Sequence, residues 1–312
     1  MESVILVKNL KKSYPNVQAV RSISFEIFKG EMFGLVGPDG AGKTSTIRVL
    51  CGLTAAESGE IHLNGLELNT HKKEIQDSIG YLSQKFSIYS DLSVDENIEF
   101  FAEIHGVNDY KARRDELLTF TRMIKFRDRP AGKLSGGMKQ KLALCCALIH
   151  KPQILFLDEP TIGVDPVSRR DFWKILSELL KSGMTIILST PYLDEAERCS
   201  RIALMNEGNI IAYDTPENVK KELGRTTLEI ICSPSRDAYA LLKKSFTDPI
   251  QLFGDRVNIL LEKPENKQNE ILTLLESNNI TIEETNLLLP NLENVFIYLV
   301  EQDSKRKENN HE

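Results

Sequence analysis

No stretch of this 312-residue chain approaches the roughly 18 consecutive apolar residues that a membrane-spanning helix needs. Its apolar runs are short, such as Ile154–Leu157, and suit buried strands. A bilayer crossing by this chain is therefore not expected. The start, Met1-Glu2-Ser3-Val4, enters a strand-like segment directly and lacks the build of a signal peptide. Basic residues are in deficit, 39 Lys and Arg against 45 Asp and Glu, for a formal charge of −6. That balance excludes a nucleic-acid binder relying on a broad basic face. The five cysteines (Cys51, Cys145, Cys146, Cys199, Cys232) have no paired metal-site spacing. Cys145 and Cys146 lie in an apolar helical run and read as small core residues, so no structural disulfide is expected. Internal repeats and long heptad runs are also missing.

What remains is the composition of an ordinary globular protein, 41% hydrophobic and 27% charged, at a length that allows a large domain and a smaller one. Strand-like segments Val4–Val7 and Ile23–Phe28 flank a polar turn at Pro15-Asn16, and Phe33–Val36 reads as a short buried strand. Glu60–Leu63, Ile79–Ser83, Ile154–Leu157 and Thr185–Leu188 read as further strands, the last two of the parallel-sheet kind. Apolar spacing is helical from about Val94 to Leu148 and again over Ser168–Lys181. After Gly224 strands and helices alternate in shorter units, which predicts a small two-layer α+β domain, ferredoxin-like in order. The expected domains are 1–224 and 225–302, with a frayed polar tail at 303–312.

Gly37-Pro38-Asp39-Gly40-Ala41-Gly42-Lys43-Thr44 fits the pattern GxxxxGK[ST] between a strand and a helix that Ser45 continues. Glycines let the backbone curl so that N–H groups face phosphate oxygens, and the following helix presents its positive dipole end. In such a loop Lys43 reaches the β and γ phosphates of ATP and Thr44 ligates Mg²⁺. Asp158 and Glu159 directly follow the apolar strand Ile154–Leu157, and two carboxylates there need a metal or hydrogen-bond partners. Asp158 is the candidate Mg²⁺ ligand and Glu159 the candidate general base for an attacking water.

Leu134-Ser135-Gly136-Gly137-Met138, read beside the phosphate loop, resembles the signature of the ATP-binding cassette (ABC) family. The resemblance covers about residues 4–220 and implies an α/β P-loop NTPase cassette: a RecA-like core, an antiparallel β subdomain and a helical signature subdomain, here followed by the small C-terminal α+β domain. It further implies roles for particular residues. Gln84 matches the glutamine that touches Mg²⁺ and links the site to the helical subdomain. Asp165, in Gly163-Val164-Asp165-Pro166, matches a loop that crosses the dimer interface. Tyr14 sits where an aromatic stacks on adenine, with a core aromatic on a strand as its plainer reading. Ser135, Gly136 and Gly137 would complete the ATP site of a facing subunit, so that two nucleotides become buried between two cassettes.

One position departs from the family. In Ser189-Thr190-Pro191-Tyr192-Leu193-Asp194-Glu195, Pro191 stands where the family usually has a histidine that contacts the γ-phosphate. Proline has neither a side-chain donor nor an N–H. Two outcomes stay open: pairing with a histidine-bearing cassette, as suggested by likeness to the first cassette of some tandem exporters, or a homodimer hydrolysing at a reduced rate. The stretch Gln84–Gly106 and the ending Leu292-Glu293-Asn294-Val295-Phe296 resemble ATP-binding subunits of bacterial drug, antibiotic and polysaccharide exporters. That likeness implies a peripheral subunit on the cytoplasmic face of the inner or plasma membrane, bound to a separate permease through Phe86–Asn97 and the helices after it. The alternatives are a soluble ABC ATPase of the translation or repair type, and an ATP-sensing cassette with little turnover.

Overall fold

Two long strands, Ser3–Tyr14 and Val17–Phe28, open the chain and pair antiparallel across the turn at Pro15 and Asn16. Ile23, Phe25 and Ile27 alternate along the second strand, so one face is buried, and Phe25 stacks on Phe33 with centroids 5.6 Å apart. Ser58–Leu63 and Leu66–Glu67 complete a four-stranded antiparallel sheet.

A second sheet of six strands carries the order Asn209–Asp214, Arg201–Asn206, Met32–Val36, Thr185–Thr190, Ile154–Asp158, Ile79–Leu82. The five strands from Arg201–Asn206 to Ile79–Leu82 are mutually parallel. The central strands are buried along their whole length, which explains why Met32–Val36, Ile154–Leu157 and Ile186–Leu188 are continuously apolar rather than alternating. Parallel strands place all their carboxyl ends on one edge, and loops meet there.

A helical layer is formed by Val94–Ile104, Tyr110–Phe120 and Gly136–Leu148. The first starts at a reciprocal cap, with the Ser93 hydroxyl accepting from Glu96 N and Glu96 accepting from Ser93 N. The third is buried on nearly all sides through Leu142, Leu144, Cys145, Cys146 and Leu148, so its apolar residues show little periodicity. All five cysteines are free and buried.

The computed structural model describes residues 2–85 and 87–309, and the chain divides into compact units Met1–Tyr213 and Asp214–Glu312. In the second unit Thr226–Ser233, Ile250–Phe253, Arg256–Leu261 and Thr281–Leu288 form an antiparallel sheet. Numbered along the chain, these strands stand in the order 2-3-1-4. Helices Ser235–Ser245 and Pro264–Ser277 cover it through Ala238, Leu242, Ile271 and Leu275. This is the βαββαβ arrangement anticipated above. The unit begins at Asp214, ahead of the expected start at Arg225, because Thr215 caps a helix, Pro216–Glu222, that packs against the last helix. That last helix, Leu292–Asn309, also continues through most of the segment expected to be a tail. Residues 310–312, and Phe86 of the expected permease-facing stretch, lie outside the described residues.

Candidate active site

The phosphate loop leaves the strand Met32–Val36 and turns into the helix Lys43–Leu50. Gly40 (φ 81°) and Gly42 (φ 101°) take left-handed conformations, and at Gly42 a β-carbon would lie 2.3 Å from the Ala19 carbonyl. No side chain caps the start of this helix and no acidic residue lies in its first turn. Its leading N–H groups and positive end are therefore left for an anion. Pro38, Asp39 and Gly40 are exposed, Ala41 is buried, and Ser45 is half-buried in the first turn.

Lys43 is buried, and its ammonium donates to the carbonyls of Gly37 (2.9 Å) and Pro38 (3.0 Å). It also pairs with Glu159 at 3.1 Å, both side chains being almost fully enclosed. Glu159 is delivered by the strand Ile154–Asp158 and held at φ 50°, a left-handed backbone that costs a non-glycine residue on the order of 1–3 kcal/mol. Two bonds over-determine it: Glu159 N donates to the Ser189 hydroxyl at 2.9 Å and to the Ser189 carbonyl at 3.2 Å. From the far side the Gln84 amide donates to Glu159 Oε2 at 2.6 Å. Gln84 follows the strand Ile79–Leu82, so four separate strand ends converge on one spot.

Asp158 is fully buried, with Oδ1 accepting from Thr44 Oγ1 (2.9 Å) and Ser189 Oγ (2.7 Å). Its Oδ2 is buried without a hydrogen-bond partner. An orphaned carboxylate oxygen costs on the order of 1–3 kcal/mol, more when charged, unless a cation takes it up. Beside the Thr44 hydroxyl, this donor set fits a hard divalent cation. Burial, with Asp158 nearby, pushes the Tyr81 phenol up to about 12, so this ring at the edge of the site stays uncharged.

The remaining expected residues stand in other surroundings. Ser135 caps the helix Gly136–Leu148, its hydroxyl accepting from Met138 N at 3.4 Å; Ser135 and Gly136 are exposed and Gly137 is buried. Asp165 is an exposed cap of the helix Pro166–Lys181, accepting from Val167 N and Ser168 N. The Ser168 hydroxyl and these N–H groups hold its carboxyl below the ordinary aspartate range. Tyr14 ends the first strand, 42% exposed, with the Lys12 ammonium 5.0 Å from its ring centre. It is not the core aromatic of its plainer reading. Two residues that sequence reasoning left without a role, Ser189 and Thr190, end the strand Thr185–Thr190. The signal was there in two adjacent hydroxyls at a strand end beside two carboxylates.

Residues 20–162 match the family described as ABC transporter, and residues 215–300 match the DrrA1-3-like C-terminal domain of ATP-binding proteins. The chain is 31% identical to the linearmycin resistance ATP-binding protein LnrL of Bacillus subtilis, over 95% of this chain and 98% of that protein. It belongs to the ATP-binding subunits of ABC transporters. It is also 31% identical to the daunorubicin resistance ATP-binding protein DrrA3 of Streptomyces coeruleorubidus, over 98% and 99% of the two chains. Identity is 39% to the probable multidrug ABC transporter ATP-binding protein YbhF of Escherichia coli, over 96% of this chain. The chain spans about half of that relative's length, 52%. Among solved structures, an ATP-binding subunit of an ABC transporter superposes with a TM-score of 0.65 at 28% identity, over 71% of this chain and 93% of that one. CbiO1 from Clostridium perfringens, part of the CbiONQ transporter complex, gives 0.64 at 28% identity, over 71% and 92%. No helix among the described residues of this ABC subunit is long and apolar enough to cross a membrane.

Proposed function

We propose that the chain binds and hydrolyses MgATP as one of two cassettes that drive a separate permease of the drug- or antibiotic-exporter type from the cytoplasmic face of the membrane. The observation that carries this reading is the convergence of Lys43, Glu159, Gln84, Thr44 and Asp158 at the carboxyl edge of the parallel sheet. The N–H groups of Gly40 and of Gly42 to Ser45 receive the phosphates, and Lys43 neutralises their β and γ oxygens. Thr44 and Asp158 would hold Mg²⁺, joined by Gln84, whose amide nitrogen is taken by Glu159 while its oxygen stays available. Bound there, the ion offsets phosphate charge.

Lys43 is shared between Glu159 and the phosphates. Arriving phosphates compete for the ammonium and leave a Glu159 oxygen for a water, whose proton it takes as general base. The left-handed backbone and its two bonds to Ser189 hold that carboxylate at a fixed place. Exposed Ser135 and Gly136 are available to a nucleotide on a facing cassette, and exposed Asp165 to that cassette's surface.

A cavity of about 210 Å³ lined by Leu53, Tyr81, Phe101, His105 and His150 offers an apolar seat for part of a permease helix. The names of the relatives, which speak of multidrug, linearmycin and daunorubicin proteins, support the exporter type over a translation or repair ATPase.

Steady-state MgATP turnover tests the site. Lys43→Ala should lose binding of a labelled ATP analogue together with turnover. Glu159→Gln should keep binding and lose roughly a hundredfold or more in rate. Undiminished analogue binding by the first variant, or native turnover by the second, would sink the assignment.

A further inference from the structure

Glu195 sits on the short helix Leu193–Ala196, is fully buried, and lies outside the set of residues expected to touch nucleotide. Burying a carboxylate costs several kcal/mol unless it is paired and hydrogen-bonded. Here donors from three separate segments compensate it. Oε1 accepts from Thr161 Oγ1 (2.5 Å), Arg169 Nε (2.8 Å) and Trp173 Nε1 (3.3 Å), and Oε2 accepts from Thr190 Oγ1 (2.7 Å).

We propose that Glu195 is a positioning residue for ATP hydrolysis, its carboxylate clamping the segment after Glu159 to the segment that carries Pro191. The proposal rests on the hydrolytic reading given above.

Thr161 lies two residues beyond Glu159, so the first arm of the clamp fixes the exit of the catalytic segment. The second arm runs through Thr190. Its hydroxyl donates to Glu195 and also accepts from Tyr192 N at 3.0 Å, bracing both sides of Pro191. Its carbonyl accepts from Gly37 N at 3.2 Å, which ties the same residue to the first residue of the phosphate loop. Its neighbour Ser189 holds Glu159 N and Asp158. Glu195 is thus one hydrogen bond away from each of the two segments that place the Glu159 carboxylate.

The helix Pro166–Lys181 supplies the anchor. Arg169 bonds Glu195 through Nε and Asp194 through a terminal nitrogen at 2.7 Å, and its guanidinium lies 4.8 Å over the Tyr192 ring. Pro191 has no donor with which to hold its own segment. The carboxylate behind it does the holding.

Glu195→Gln keeps the shape and leaves Arg169 paired with Asp194, while removing the charge and one acceptor oxygen. The expected result is a fall in kcat of roughly ten- to hundredfold, the scale of a small misplacement of a catalytic group, with KM for ATP within about twofold. Thr190→Val and Thr161→Val each cut one arm without touching the carboxylate. Each should lower kcat, and Glu195→Gln combined with Thr190→Val should fall less than the product of the single effects. Analogue binding by each variant counts the folded sites. Should Glu195→Gln fail to fold, the two threonine variants decide. Native kcat in the folded variants, or a loss accounted for by fewer binding-competent molecules, overturns the proposal and leaves the hydrolytic reading intact. A native chain with no Lys43-dependent turnover overturns that reading and this proposal with it.

Discussion

A β-carbon added at Gly137 would lie 2.4 Å from the Ser168 β-carbon and 2.5 Å from its hydroxyl, whereas one added at Gly136 meets nothing closer than the Gly163 carbonyl at 3.7 Å. Adjacent glycines of one motif therefore face different surroundings. Gly136 is open to solvent, and Gly137 is where the helix Gly136–Leu148 closes on the helix Pro166–Lys181. Ser168 cannot easily give way, because its N–H is bonded to Asp165 and its hydroxyl also acts on that carboxylate. Gly137→Ala is expected to destabilise the isolated chain by about 1–3 kcal/mol, the usual range for overpacking. Gly136→Ala should stay within about 0.5 kcal/mol and act, where it acts, on ATP-driven pairing. Urea denaturation of the two variants without nucleotide separates the roles, and equal losses would refute the distinction. The motif text treats the two glycines alike; only the packing of one helix on another tells them apart.

At the level of elements, a stacked histidine pair shows both what periodicity reveals and what it leaves hidden. His105 ends the helix Val94–Ile104 and His150 follows the helix Gly136–Leu148, and their rings stack 3.8 Å apart at 10°. Helical spacing from about Val94 to Leu148 covers both helices, but no spacing rule brings their ends together. The contact depends on how two helices of different length pack. His150 Nε2 lies 2.9 Å from the Ile79 carbonyl, so that nitrogen carries the proton, and Nδ1 is buried without a partner. Burial holds both imidazoles below the ordinary histidine range, and for His150 the neighbouring ring adds to the effect, against an opposing pull from Asp77. The unfolded chain takes up protons near pH 6.5 where the folded one does not. Stability should therefore fall as pH drops from about 7 to about 5, a range above that in which carboxylates titrate. Melting curves of the native chain and of His105→Ala/His150→Gln across that range check it, with the variant expected to lose that part of the slope. An unchanged slope would assign the effect to other groups. Strand–loop–helix at the phosphate loop was legible because each part has its own local chemistry, and so was the βαββαβ order of the second unit. The strands Arg201–Asn206 and Asn209–Asp214, and the true start of the second unit, were not. Tyr213 explains part of this: its hydroxyl receives a bond from Arg201 and donates to the Glu26 carbonyl, a partner far away in sequence that binds the segment to the second strand of the chain.

For the whole molecule the open matter is what a proline at position 191 does to the two-cassette ATPase proposed above. The local structure accepts it without loss. Tyr192 N is satisfied by Thr190, the Thr190 carbonyl by Gly37, and a proline leaves no N–H of its own to pair. By the family resemblance a donor expected near the γ-phosphate is gone, and one such contact in a transition state is worth a few kcal/mol, roughly a hundredfold in rate. Glu159, Lys43 and Asp158 stand together as the proposed hydrolysis requires, so binding and slow turnover should survive, and exposed Ser135 stays available for its proposed role at a facing cassette. These facts favour a cassette that hydrolyses slowly on its own and contributes its signature to a histidine-bearing partner. Turnover of the native chain is accordingly expected to be low, and Pro191→His to raise it by roughly ten- to hundredfold. Glu159→Gln in saturating MgATP should still form a dimer visible by size-exclusion chromatography, since it removes the base and spares the surfaces. An ordinary native rate that histidine does not raise would reverse the conclusion. A homodimer would then be the working unit, with Glu159, held by Ser189 and clamped from behind by Glu195, sufficient for catalysis without the missing imidazole.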